Sequence, residues 1–247
     1  MASDSAATYG SDGRMTIGQQ EISKIRRLSD SILYSSTGAV GMGQLVANSI
    51  KQGWDAKQFR AETPEEFMDK IGKKIGELVF PYLQGATLTR QLTGDASSSL
   101  CKSLLAIPFK EKSYLFQFDY NGAPERATDE LPFVALGSGQ NIADPFLALL
   151  KRLLWKDSKP TLGEGRVAAA WTIDHVRLTN PGGVGGRIQL ATLAPKPGNQ
   201  GPTATLLSEQ EIGEHMQQVR SAEKALIDEL RAPGKDEGEP PPTPPQL

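Results

Sequence analysis

The order in which strand and helix patterns succeed one another limits the fold of this chain more than any other feature. Residues 2–40 are strand-like, including a strand over 22–28, and are broken by a turn at Gly10-Ser11-Asp12-Gly13. Residues 41–51 then place Met42, Leu45, Val46 and Ile50 at spacings of three and four, the period of a helix with one apolar face. A second helix start is written at Thr63-Pro64-Glu65-Glu66. Thr63 is a good N-cap, Pro64 suits the first helical position, and Glu66 can reach back to the cap amide. Phe67, Ile71, Ile75, Leu78 and Val79 continue that face, and Pro81 is expected to end it.

Short strands return over residues 98–118, with Lys110-Glu111-Lys112 as a charged turn and Asn121-Gly122 as a second one. Residues 133–136 read as a short buried strand stopping at Gly137-Ser138-Gly139. Ile142, Phe146, Leu149, Leu150 and Leu153 line the next helix, and Thr161-Leu162-Gly163-Glu164 is a capping box leading into residues 167–176. Gly182-Gly183-Val184-Gly185-Gly186 breaks that helix before an alternating strand over 187–193. Strands, two helices, strands, two helices and a strand make an α+β chain.

Composition divides the chain after Pro195. Residues 1–195 read as one domain, 196–207 as a linker and 208–231 as a C-terminal helix. That helix is capped by Ser208 and Glu211, and carries Ile212, Met216, Val219, Ala222 and Leu226 on one face. Residues 232–247 are rich in Pro, Gly and Glu and are expected to stay disordered.

Composition also excludes several functions. A net charge of −2 over 247 residues, with no basic stripe, argues against nucleic acid and anionic membranes. One cysteine, Cys101, permits no intrachain disulfide and fits a reducing compartment. No apolar run spans a bilayer and no leader is apparent, so a soluble cytoplasmic protein is expected. His175 and His215 lack companions at ligand spacing, so no metal is expected. The glycine cluster at 182–186 does not follow a strand, so no dinucleotide or other cofactor is expected.

Four stretches carry a more specific signal. Ala2-Ser3-Asp4-Ser5-Ala6-Ala7-Thr8, Ser23-Lys24-Ile25, Tyr34-Ser35-Ser36-Thr37-Gly38 and Ala135-Leu136-Gly137-Ser138-Gly139 occur in that order. Together they resemble the proteasome β-type subunits, bacterial proteasome-like N-terminal nucleophile hydrolases. The resemblance implies a four-layer α-β-β-α sandwich in which helix pairs cover two packed sheets. It also implies a threonine peptidase. In such enzymes a terminal threonine hydroxyl attacks the amide, its own α-amine acts as base, and a lysine–aspartate pair tunes the ionisation.

Carried onto this chain, the resemblance makes Asp4 and Lys24 the charge pair, Gly38 the oxyanion donor and Ser138 the residue that steadies the N-terminus. Ser36 and Val40 would line the pocket for the residue before the scissile bond. Without the resemblance, Asp4 and Lys24 are a surface ion pair and Gly38 a turn glycine. The implied partners are a peptide or unfolded-protein substrate, a homo-oligomeric ring and, in some arrangements, an ATPase.

The chain also departs from the family. Pro181 and Val184 stand where it has an aspartate and a serine, the loop between Thr8 and Lys24 is long, and the nucleophile strand ahead of Asp4 is not among these residues. A start assigned too late, a truncation, or a shortened inactive paralogue would each explain that. Two alternatives therefore stay beside the peptidase: a non-catalytic assembly relative, and an acylase-type amide hydrolase.

Overall fold

The structure, a computed structural model, describes residues 1–9, 18–93, 100–156, 158–195 and 201–231. Three short strands come first: β1 (Ala2–Asp4), β2 (Ala6–Tyr9) and β3 (Gly18–Glu21), the last two forming an antiparallel hairpin. The turn read at Gly10-Ser11-Asp12-Gly13 lies outside the described residues. β4 (Arg26–Ser29) and β5 (Ile32–Gly38) follow, and then α1 (Val40–Asp55) and α2 (Pro64–Thr93). The strand read over 22–28 is shorter than its pattern, since residues 22–25 pair with no neighbouring strand.

β6 (Cys101–Phe109), β7 (Lys112–Phe118) and β8 (Pro124–Arg126) complete a five-stranded antiparallel sheet in the order β4-β5-β6-β7-β8. Alternation decides its two faces. Cys101, Ser103, Leu105 and Ile107 of β6 are buried in turn, together with Phe116 and Phe118 of β7. These side chains meet Val46 and Ile50 of α1 and Phe67, Ile71 and Ile75 of α2. Sixteen buried residues form this cluster, so the helix-covered face supplies the largest single share of the hydrophobic stabilisation among the described residues, at ~1.5–3 kcal/mol for each large side chain.

The opposite face meets a second sheet through a much thinner layer. β9 (Ile188–Pro195) is central there, with β1 on one side and β10 (Pro202–Leu206) on the other, both antiparallel. Between the sheets, among the described residues, Ile25, Leu33, Ala191 and Ala204 form a buried cluster, with Met1, Ala106 and Leu193 against them. The outer face of the second sheet packs Ile188 and Leu190 on Ala170 of α4 (Leu162–Thr179) and on Met216 and Val219 of α5 (Glu209–Arg231). α3 (Gln140–Leu154) lies beside α4, where Phe146 meets Trp171 edge-on and stacks on His175 at 4.3 Å. The chain is thus a mixed α/β fold with antiparallel sheets and, among the described residues, five helices.

Several expectations are corrected. Pro81 does not end α2, which runs on to Thr93. Pro81 and Glu77, whose carbonyl loses its partner, are both exposed, so water can replace the missing bond. Residues 133–136 form no strand and pair with no strand of the described sheets. Leu149 and Leu153 of α3 are exposed at 37% and 63%, and only the Ile142, Phe146 and Leu150 side of that helix packs inward. The expected linker over 196–207 contains β10, whose five residues extend the second sheet.

Both capping boxes around the second sheet form as read. Thr161 accepts from the Glu164 amide at 3.3 Å and donates its own amide to Glu164 at 2.7 Å. Ser208 and Glu211 do the same at 3.3 and 2.7 Å. At α2 the Glu66 carboxylate reaches one residue further back, to the Glu62 amide at 2.9 Å.

Candidate active site

β1 ends on Asp4, and the antiparallel register Asp4↔Ile188 brings that carboxylate to the glycine-rich turn preceding β9. Asp4 is largely buried and fully engaged. Its Oδ1 accepts from Lys24 Nζ at 2.6 Å, and its Oδ2 from the Ala6 and Gly185 amides at 3.2 and 3.1 Å. Lys24 lies in the unpaired stretch between β3 and β4, with about a fifth of its side chain exposed. A carboxylate held by two backbone N–H groups stays where the ammonium can meet it, and the ammonium still faces solvent.

The same turn binds the rest of the site. The Ser5 and Ala6 amides both donate to the Gly185 carbonyl, and Ser5 Oγ accepts from the Arg187 amide at 2.7 Å. Gly186 has φ +70°, and a Cβ there would lie 2.3 Å from Ser5 Oγ, so this position requires glycine. At the other end of the turn, Ser138 Oγ donates to the Gly183 carbonyl at 2.9 Å, and the Asn180 side-chain amide donates to the Ser138 carbonyl at 3.2 Å. Asp4 and Ser138 therefore grip opposite ends of one loop.

Gly38 ends β5 opposite Cys101 with φ +101°, and a Cβ would lie 2.3 Å from the Leu100 carbonyl oxygen. Its neighbour Thr37 borders Gly137, whose Cβ position is 3.3 Å from Thr37 Oγ1. That contact links Gly38 to the Ser138 segment. The expected pocket residues flank Gly38 without converging. Val40 opens α1 with 54% exposure, whereas Ser36 turns toward Gly43, whose Cβ would sit 2.3 Å from its hydroxyl. Ser36 belongs to a polar knot on the helix side of the sheet, where the Tyr34 and Ser103 hydroxyls meet at 3.0 Å beside Cys101. Burial, and the Cys101 thiol next to it, push the Tyr34 phenol far above its ordinary range, and burial raises the Cys101 thiol.

Met1 lies at the edge of this region. Its amine donates to the Ala191 carbonyl at 2.9 Å, and burial, with Arg166 nearby, lowers it to about 6. Among the described residues, no three His, Cys, Asp or Glu side chains converge as a metal site, and no helix is long and apolar enough to cross a membrane.

Sequence reasoning missed the loop's own contribution. Pro181 is exposed and Val184 packs into an apolar cluster with Ala143 and Val176, so neither replaces the family's polar residue. The Gly183 carbonyl, the Gly185 amide and the Asn180 side chain make the polar contacts instead. Backbone donors and acceptors carry no residue signature, although the glycine cluster marked the place.

Solved structures share this architecture. An Anbu (ancestral beta-subunit) protein from Yersinia bercovieri superposes with TM-score 0.63 and 17% identity over 94% of this chain and 93% of its own. The Anbu complex from Pseudomonas aeruginosa, solved as a helical assembly, gives 0.64 and 16% over 95% and 93%. Anbu from Hyphomicrobium sp. strain MC1 gives 0.58 and 17% over 92% and 91%. The chain has the fold of the Anbu proteins.

At these identities the likeness speaks for the fold alone. No family model matches the chain, and no curated protein is similar to it in sequence. The resemblance to proteasome β-type subunits is corrected accordingly. Its structural relatives include Anbu proteins, related to proteasome subunits but distinct from them, and no family model or curated sequence ties the chain to the β subunits themselves.

Proposed function

We propose that this chain forms the body of an Anbu-like N-terminal-nucleophile hydrolase that cleaves amide bonds in peptides. One observation carries the reading: Lys24 is fixed at 2.6 Å to a carboxylate that the Gly185 amide also holds, on the loop that Ser138 grips from its other end. An ammonium anchored in this way keeps positive potential beside an attacking hydroxyl and favours its deprotonation. Gly38 supplies a backbone N–H for the developing oxyanion, and Ser138 steadies the terminus that bears the nucleophile. The nucleophile in this reading is a threonine carried outside these 247 residues. The packed order of helices, sheet, sheet and helices is read as the four-layer sandwich of that enzyme class. By analogy with the Pseudomonas aeruginosa assembly, the chain self-associates. A reducing cytoplasm suits its one buried thiol.

The test is hydrolysis of fluorogenic peptide amides by protein isolated from its native host. Lys24→Ala is expected to abolish turnover while circular dichroism and the melting midpoint stay close to wild type. Unchanged turnover would remove Lys24 from the mechanism. A non-catalytic assembly relative is the second reading, favoured by Pro181 and Val184 in place of the family's aspartate and serine. It predicts no turnover in the wild type and no labelling by a β-lactone that acylates hydroxyl nucleophiles.

A further inference from the structure

Residues 22–25, which carry Lys24, have no strand partner, yet Lys24 meets Asp4 at 2.6 Å. Something other than a sheet ladder must therefore fix the backbone from which its long side chain reaches. The side chain of Gln189 does this. Its Oε1 accepts the Lys24 amide at 2.9 Å and the Ile25 amide at 3.4 Å, and its Nε2 donates to the Ile22 carbonyl at 2.6 Å. Ser3 Oγ donates to the same Oε1 at 3.4 Å. One carboxamide thus supplies the acceptor and donor that a neighbouring strand's peptide group would offer.

Placement gives these bonds a consequence for the site. Gln189 stands on β9 opposite Ser3, immediately after the Ile188 that pairs with Asp4. The β1–β9 ladder therefore sets both halves of the charge pair. Backbone pairing positions the Asp4 carboxylate, and the Gln189 side chain positions the root of Lys24. We infer that Gln189 is a positioning residue for Lys24, holding the ammonium in register with Asp4 from across the second sheet. This rests on the hydrolase reading for its functional meaning, whereas the tether itself can be read without turnover.

The residue type is specific. A leucine would leave the Lys24 and Ile25 amides and the Ile22 carbonyl without their partner. A glutamate keeps the acceptor and loses the donor. Because Gln189 is half-buried and its bonds run to residues some 165 positions away, its removal should act locally on residues 22–25.

Hydrogen exchange on the full chain, followed residue by residue, tests this. In Gln189→Leu, exchange at the Lys24 and Ile25 amides is expected to rise about tenfold, while Leu190 and Ala191 of β9 stay protected. Acetylation of the Lys24 amine by acetic anhydride should quicken several-fold relative to exposed Lys159. Gln189→Glu should fall between wild type and Gln189→Leu in both readouts. Unchanged exchange at Lys24 and Ile25, or a rise shared equally by all of β9, would overturn the assignment. Since neither readout needs activity, a tether that holds while Lys24→Ala leaves turnover unchanged would sink the hydrolase reading and keep the tether. A tether that fails while Lys24→Ala abolishes turnover would do the reverse.

Discussion

Asp4 accepts three hydrogen bonds beside the loop at 180–186, and Tyr34 meets Ser103 beside Cys101 on the helix side of the five-stranded sheet, so the fold holds two buried polar knots. Tyr34 has its phenol pushed up by burial and by the neighbouring thiol. An unfolded tyrosine loses its proton near about 10. Above that pH the unfolded chain binds fewer protons than the folded one, so stability falls as pH rises. The expected result is that Tyr34 resists titration until the chain unfolds, which absorbance of the phenolate during an alkaline titration reads directly. A full set of phenolates in the still-folded protein would contradict the buried placement. Neither knot is written in local sequence. The Asp4–Lys24 pair was legible only through order and resemblance, and Gln189 not at all, because its partners lie on a segment far away in the chain.

Elements were legible where their signals are local. The capping boxes at Thr161 and Ser208 form with the predicted partners because all donors and acceptors lie within one turn. Thr161→Ala should therefore cost about 1 kcal/mol, seen as a lower urea midpoint with an unchanged slope. A cost near zero would mean that packing of α4 on the second sheet fixes that terminus without help from the cap. Elements whose existence depends on a distant partner were not legible. β10 hides in a Pro/Gly/Thr stretch and forms only because β9 offers it an edge. Residues 133–136 look like a strand and find none to join. Pro81 was read as a stop, yet α2 continues because that face meets water.

Across the whole molecule, a sixteen-residue helix-side core and a four-residue layer between the sheets divide the structural work unequally. The first backs the five-stranded sheet, while the loop at 180–186 is held by Val184 packing on Ala143 and Val176 and by its hydrogen bonds to Asp4 and Ser138. Composition and patterning led to the α+β class. The motifs pointed toward proteasome β-type subunits, whereas the solved structures that share the fold are Anbu proteins, at identities that speak for the fold alone. The proposed hydrolase depends most on a nucleophilic threonine held beside Lys24. The intact mass and N-terminal sequence of the protein isolated from its native host test that claim directly. A mature chain that begins with threonine ahead of Met1 is the predicted result, and one that begins at Met1 or Ala2 would contradict it.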